Sequence, residues 1–232
     1  MSGQIAEPSG AEYVVKNRVQ PADAAIHNWY RFVLGYPPHL VRQYLDAFGA
    51  DPDRDWVFDP FCGTGTTPVE ARLQGFATLS VDANPMTVLA TRVKLGWDVD
   101  LDAVQSGLEA VLQVAAGCLH TVHLDLLPAG AYQLALFGPQ SVLEGDGSGK
   151  HADFNPAALL PPRAADLIPA GFISEKPLLR VLAVRYAIED AVPPGTIQDL
   201  FRLALAHTIV ATAGNVAFGP EIYRLPPRDD AD

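Results

Sequence analysis

Apolar and polar positions follow one another in rhythms that change from segment to segment. Leu40, Val41, Tyr44, Leu45 and Phe48 recur at the spacing of one helix face. Pro37-Pro38 opens that helix and Gly49 closes it. A turn at Asp51-Pro-Asp-Arg-Asp55 leads into a short apolar strand, Trp56-Val-Phe58, with Asp59 at its C-terminal end. A loop rich in Gly and Thr comes next, then a helix over Pro68 to Leu73 that Gly75 ends. Ala77 to Val81 reads as a second strand closed by Asp82, and Asn84-Pro85 starts a helix through Val88, Leu89 and Val93. Strand, tight loop, helix and strand make one βαβ unit of a parallel sheet, so the expected class is α/β.

Downstream, Asp102 to Gly117 has the pattern of a third helix. Ala129 to Phe154 contains Gly145-Asp-Gly-Ser-Gly149, expected as a flexible connection. Pro161-Pro162 and Pro177 break the next stretch of chain, and Leu178 to Ile188 fits either helix or strand. Thr196-Ile-Gln-Asp199 resembles a capping box. It would introduce an apolar helix through Leu200, Leu203, Ala204 and Ile209, closed near Gly214. Asn215 to Leu225 is expected as one last strand. Residues 1–24 are polar and aperiodic, an expected arm, and 25–232 are expected as one domain.

The 232 residues are 49% hydrophobic, enough for a sizeable core. The N-terminal stretch carries charge but no apolar segment, which is unlike a signal peptide. Two cysteines, Cys62 and Cys118, do not make a disulfide framework, so a reduced, cytoplasmic protein is expected. Cys118, His120 and His123 lack a second cluster that would complete a metal site, and no metal is expected. His27 and His39 are expected at the surface. Net charge is −11 with no basic stripe. Phosphate neutralisation supplies much of the affinity of a nucleic-acid binder, so a DNA-gripping surface would have to lie elsewhere.

The segment Val57-Phe-Asp-Pro-Phe-Cys-Gly-Thr-Gly-Thr-Thr67 carries the candidate chemistry. Gly63 and Gly65 permit positive φ and a close backbone approach to a ligand. The helix N-terminus beyond them directs amides and partial positive charge at it. Asp82, at the end of the second strand, is placed to accept bonds from both hydroxyls of a ribose. A nicotinamide fingerprint would want a third glycine where this chain has Pro68.

Asp59-Pro60-Phe61-Cys62-Gly63-Thr64-Gly65-Thr66-Thr67 resembles the cofactor motif of S-adenosylmethionine-dependent DNA amino-methyltransferases, the adenine-N6 and cytosine-N4 enzymes. Glu70-Ala71 and Gly75 sit where that family tends to have them. Val81-Asp82-Ala83-Asn84-Pro85 resembles its second cofactor motif, and Trp29-Tyr30-Arg31-Phe32 through Tyr36-Pro37 the segment that closes over the methionine end. The resemblance covers about residues 25–97 clearly. It implies a Rossmann-like methyltransferase fold, a parallel-strand-rich sheet flanked by helices, here incomplete. It also implies S-adenosylmethionine as cofactor. Asp59, Phe61, Cys62 and Gly63 would contact the methionine moiety, Asp82 the ribose, and Ala83 and Pro85 the adenine. Gly65 would allow the close helix approach. Pro60, Thr64, Thr66 and Asn84 complete the motifs, and Trp29 and Tyr36 would close the site.

The family also needs a catalytic tetrapeptide of Asp, Asn or Ser, then Pro-Pro, then an aromatic residue. It orients the target amine and stacks on a flipped-out base. The Pro-Pro pairs here are Tyr36-Pro-Pro-His39, Leu160-Pro-Pro-Arg163, Val192-Pro-Pro-Gly195 and Leu225-Pro-Pro-Arg228, and none has the needed residue on both sides. Catalytic residues therefore stay unassigned. The chain is expected to be the cofactor-binding part of a split or truncated enzyme, with DNA and a complementary methyltransferase chain as partners. A non-catalytic cofactor-binding subunit and a transfer-RNA guanine methyltransferase are the alternatives.

Overall fold

A computed structural model of the chain describes residues 19–31, 35–122, 154–160, 163, 166, 168–218 and 222–227. Residues 1–18, the Gly145 to Gly149 connection, Pro161-Pro162 and His123 lie outside the described residues. The chain forms two compact units, Met1–Trp97 and Asp98–Asp232.

The first unit opens with a 3-10 turn, Pro21–Asp23, that runs into α1, Ala24–His27. Helix α2, Pro38–Phe48, begins where the sequence predicts: Pro38 occupies the first turn, where an amide would have no intrahelical acceptor in any case. Gly49 ends it in the left-handed conformation at φ 63°, its amide bonded back to Asp46 O. Strand β1, Trp56–Asp59, and strand β2, Ala77–Ser80, pair in parallel with Trp56 opposite Ala77 and Phe58 opposite Leu79. Between them runs α3, Thr66–Leu73, which packs on both strands and buries Val69 and Ala71 completely. After β2 comes α4, Pro85–Leu95, capped by the Asn84 side chain, which accepts from Met86 N at 2.9 Å.

Among the described residues this parallel sheet has two strands. Its two faces differ. Val57, Asp59, Thr78 and Ser80 are half-buried, whereas Trp56, Phe58, Ala77 and Leu79 are exposed. Parallel sheets ordinarily have both faces covered, so the exposed row of Trp56, Phe58 and Leu79 is unusual.

The second unit is mostly helical. Helix α5, Leu101–Thr121, starts at Asp100, whose carboxylate accepts from Asp102 N at 3.0 Å. It is longer than the predicted Asp102 to Gly117. After α6, Pro156–Leu159, comes α7, Glu175–Ala191, so the ambiguous stretch from Leu178 is helix. Val111 and Ala115 of α5 pack with Ala187 and Ile188 of α7 and with Phe201 of α8, Thr196–Thr208. The expected capping box does not form. Gly195 is the cap, Thr196 is already helical, and no side chain caps the helix. Buried Gln198 turns back instead, donating to Val192 O at 2.6 Å, which satisfies the end of α7. A π-helical turn, Ile209–Ala213, closes α8. The predicted last strand is two: β3, Val216–Phe218, and β4, Ile222–Arg224, pair antiparallel. No helix among the described residues is long and apolar enough to cross a membrane.

Candidate cofactor-binding site

The C-terminal ends of β1 and β2 carry Asp59 and Asp82, and the chain between β1 and α3 forms a tight loop. Asp59 Oδ1 accepts from Phe61 N at 3.0 Å, so it closes its own turn and does not cap α3, whose cap position is Gly65. Pro60 is exposed and Phe61 is 86% exposed, at the crest of the loop. Cys62 points inward, and its amide joins the loop to Val81 O at 3.1 Å. Burial pushes its thiol above the ordinary value and the nearby Asp59 and Asp82 charges add to this, so it is a neutral packing group.

The two glycines have different roles. Gly63 has φ 52° and open space where a Cβ would stand; its amide donates to Asp82 Oδ2 at 2.9 Å and its carbonyl accepts from Thr91 Oγ1 at 2.9 Å. Gly65 has φ 89°, and a Cβ there would lie 2.8 Å from Thr91 Oγ1 and 3.2 Å from Thr91 Cα. Helix α4 thus presses directly on the loop at Gly65. Thr64 lies between them with its carbonyl bonded to Lys94 Nζ at 3.0 Å, and Thr66 begins α3.

Asp82 is the hub. Besides Gly63 N, its Oδ1 accepts from Asn84 N at 2.8 Å and from Thr87 Oγ1 at 2.9 Å. The Asn84 and Gly63 amides, with the Thr87 hydroxyl, hold its carboxyl below the ordinary value, so it is anionic at neutral pH. A carboxylate offers about four lone-pair sites. The Gly63 and Asn84 amides and the Thr87 hydroxyl bond to this one, and the Ala83 amide also acts on it. Ala83, Asn84 and Pro85 border it at the start of α4, Asn84 and Pro85 exposed.

Tyr36 and Trp29 come from the upstream segment. The Tyr36 hydroxyl is bonded to Thr67 Oγ1 in the first turn of α3, which brings this ring to the glycine loop. Trp29 is half-buried in the turn after α1, its amide bonded to Ile26 O. Tyr36 also borders a cleft of about 570 Å³ between α2 and β1, lined by Val41, Tyr44, Trp56, Phe58 and Phe76. That cleft is apolar and does not include Asp59 or Asp82.

His27 corrects one expectation. It is buried, and its Nε2 donates to Glu70 Oε1 at 2.7 Å. Arg42 Nη1 donates to Glu70 Oε2 at 2.5 Å, and Arg42 Nη2 reaches Asp23 at 3.0 Å. His39 is half-buried rather than exposed. Burial alone would raise Glu70; the bonds from His27 and Arg42 outweigh it and the carboxyl lies below its ordinary value. Through Asp23 and His27 this network ties the 21–27 segment, together with α2, onto α3. Lys94, Thr87 and Thr91 also went unrecognised in the sequence. The signal was there: Thr87, Ala90, Thr91 and Lys94 share the spacing of one face of α4, and all four are buried.

The described residues hold no group of three or more His, Cys, Asp or Glu arranged to bind a metal ion. No protein-family profile matches the chain, and no solved structure matches it. One characterised relative is the type II methyltransferase M.BsoBI of Geobacillus stearothermophilus, 34% identical over 70 residues, or 30% of this chain. The match spans 14% of the relative's length. This partial kinship supports a methyltransferase.

Proposed function

We propose that the first unit binds S-adenosylmethionine as the cofactor-binding part of a DNA amino-methyltransferase. The observation that carries this is the bond from Gly63 N to Asp82, which joins the loop after β1 to the acid after β2. Together they make one polar rim at the strand ends, where ligands of open α/β sheets bind. The residues fit the cofactor. Gly63 leaves open space at its Cβ position, Asp82 stands only half-buried at the strand ends as a hydrogen-bond acceptor, and the rim is anionic. An anionic rim favours a ligand that carries a sulfonium and an ammonium. Ala83 and Pro85 would border the adenine, and Phe61, Trp29 and Tyr36 would shield the methionine end.

When bound, S-adenosylmethionine supplies an electrophilic methyl group on sulfur. The chain's own contribution is to bind and orient it. The tetrapeptide that would hold a target amine is absent from the 232 residues, so a complementary chain or segment would supply it. The exposed row of Trp56, Phe58 and Leu79 supports that completion, because further structure would cover it.

Ultraviolet cross-linking with methyl-labelled S-adenosylmethionine tests the assignment. Label is expected in the peptide spanning Phe61 to Thr67, competed by S-adenosylhomocysteine and not by NAD. Label that NAD displaces equally well would indicate a general nucleotide site. Cross-linking followed by methyl transfer to RNA and not to DNA, once a complementary chain is added, would favour the transfer-RNA alternative.

A further inference from the structure

Lys94 is a fully buried cation, 1% exposed, on the face of α4 that meets the glycine loop. Its Nζ donates to Tyr30 O at 2.6 Å and to Thr64 O at 3.0 Å. Neither carbonyl lies in a helix or strand. Tyr30 is in the turn after α1, and Thr64 sits between the two left-handed glycines. One turn before Lys94, Thr91 donates to Gly63 O. Helix α4 therefore holds two successive loop carbonyls, and through Lys94 it also holds the upstream segment.

Packing does not account for a lysine here. A buried ammonium loses its hydration, and carbonyl dipoles replace only part of it. Burial, with the like charge of Arg31, pushes Lys94 down to about 8. A methionine would fill similar space without that penalty. What a methionine lacks is the pair of donors that reach both carbonyls at once.

We propose that Lys94 is a positioning residue: by bonding the Tyr30 and Thr64 carbonyls together it clamps the upstream segment onto the glycine loop, so that both are held beside the Asp82 rim. This rests on the assignment of that loop to S-adenosylmethionine. The Glu70 network holds Asp23 and His27 independently, so loss of the clamp would free the turn at Asn28 to Arg31 and leave α1 docked.

Hydrogen exchange on the full, ligand-free chain tests the clamp directly. Wild type, Lys94→Met and Lys94→Arg are compared in peptides covering 28–31, 62–66 and, as internal control, 69–73. The clamp predicts exchange at least about tenfold faster at 28–31 in Lys94→Met, an unchanged control peptide, and recovery in Lys94→Arg, which restores two donors. Equilibrium dialysis with S-adenosylmethionine then predicts roughly tenfold weaker binding by Lys94→Met and recovery by Lys94→Arg. Unchanged exchange at 28–31 in a folded Lys94→Met chain overturns the clamp, even where wild type binds the cofactor. Faster exchange with no binding by wild type removes the cofactor and leaves only a structural tie, which also overturns the proposal. Should Lys94→Met fail to fold, Lys94→Leu, which also removes both donors, takes its place under the same criteria.

Discussion

At Gly65 and Gly63 one substitution should have two outcomes. Both residues sit at positive φ, which costs an L side chain about 1–2 kcal/mol. At Gly63 that strain is the whole penalty, because an alanine Cβ meets open space. At Gly65 the Cβ would meet Thr91 at 2.8 Å, and Thr91 Cα at 3.2 Å is backbone that cannot swing away. Urea unfolding should show Gly63→Ala losing about 1 kcal/mol and Gly65→Ala at least about 2 kcal/mol, strain and overpacking together. Equal losses at the two positions would mean that α4 does not press on the loop. The glycine pair was visible in the sequence. The division of labour was not, because it depends on which glycine faces Thr91, a residue on a helix that the loop's own sequence does not mention.

At the scale of elements, the placement of the upstream segment depends on charge. Glu70 lies at the centre of α3, buried at 2%, and receives His27 from α1 and Arg42 from α2. Removing one member of a buried pair costs about 3–5 kcal/mol. Arg42 is partly solvated, so Glu70→Ala should cost about 3 kcal/mol. The sign with pH comes from the depressed Glu70 value. The contribution is fully present above the unfolded carboxylate value, near about 4.3. It is lost as pH falls through the lower folded value. Wild type and Glu70→Gln should therefore differ most in stability near neutrality and converge below about pH 4. A gap independent of pH would contradict the ion-pair role.

The elements that periodicity and punctuation define well were legible: α2 between Pro38 and Gly49, β1, α3, β2, and α4 with its Asn84 cap. The sequence was less clear where local signals competed with tertiary demands. Thr196 looks like a cap, but Gly195 takes that position. Gln198 is claimed by the carbonyls that end α7. His27 looked like a surface residue because its partner Glu70 lies far away in the chain.

For the whole molecule, the acidic balance and the uncovered sheet face both bear on what the first unit can do alone. With a net charge of −11, the chain should not retain duplex DNA at about 0.15 M salt in a gel-shift titration. A tight, salt-sensitive complex would place the DNA-gripping surface on this chain after all. Trp56 and Phe58 are exposed at 74% and 59%. Both keep only part of their surface in the cleft against α2, so in the isolated chain Trp56→Ser and Phe58→Ser should lower stability by no more than about 1 kcal/mol each. Large losses in thermal unfolding would mean that this face is already covered. The strand–loop–helix–strand core was readable in full, whereas the exposed row was not: alternating strand burial becomes visible only once the neighbours are placed.

The central claim is that the Asp82 rim binds S-adenosylmethionine, and calorimetric titration of the purified chain tests it most directly, with Asp82→Ala as the control. Saturable binding to wild type, weakened at least about tenfold in a folded Asp82→Ala chain, is the predicted result. A folded wild-type chain that takes up no S-adenosylmethionine, or an Asp82→Ala chain that binds it equally well, would contradict the account.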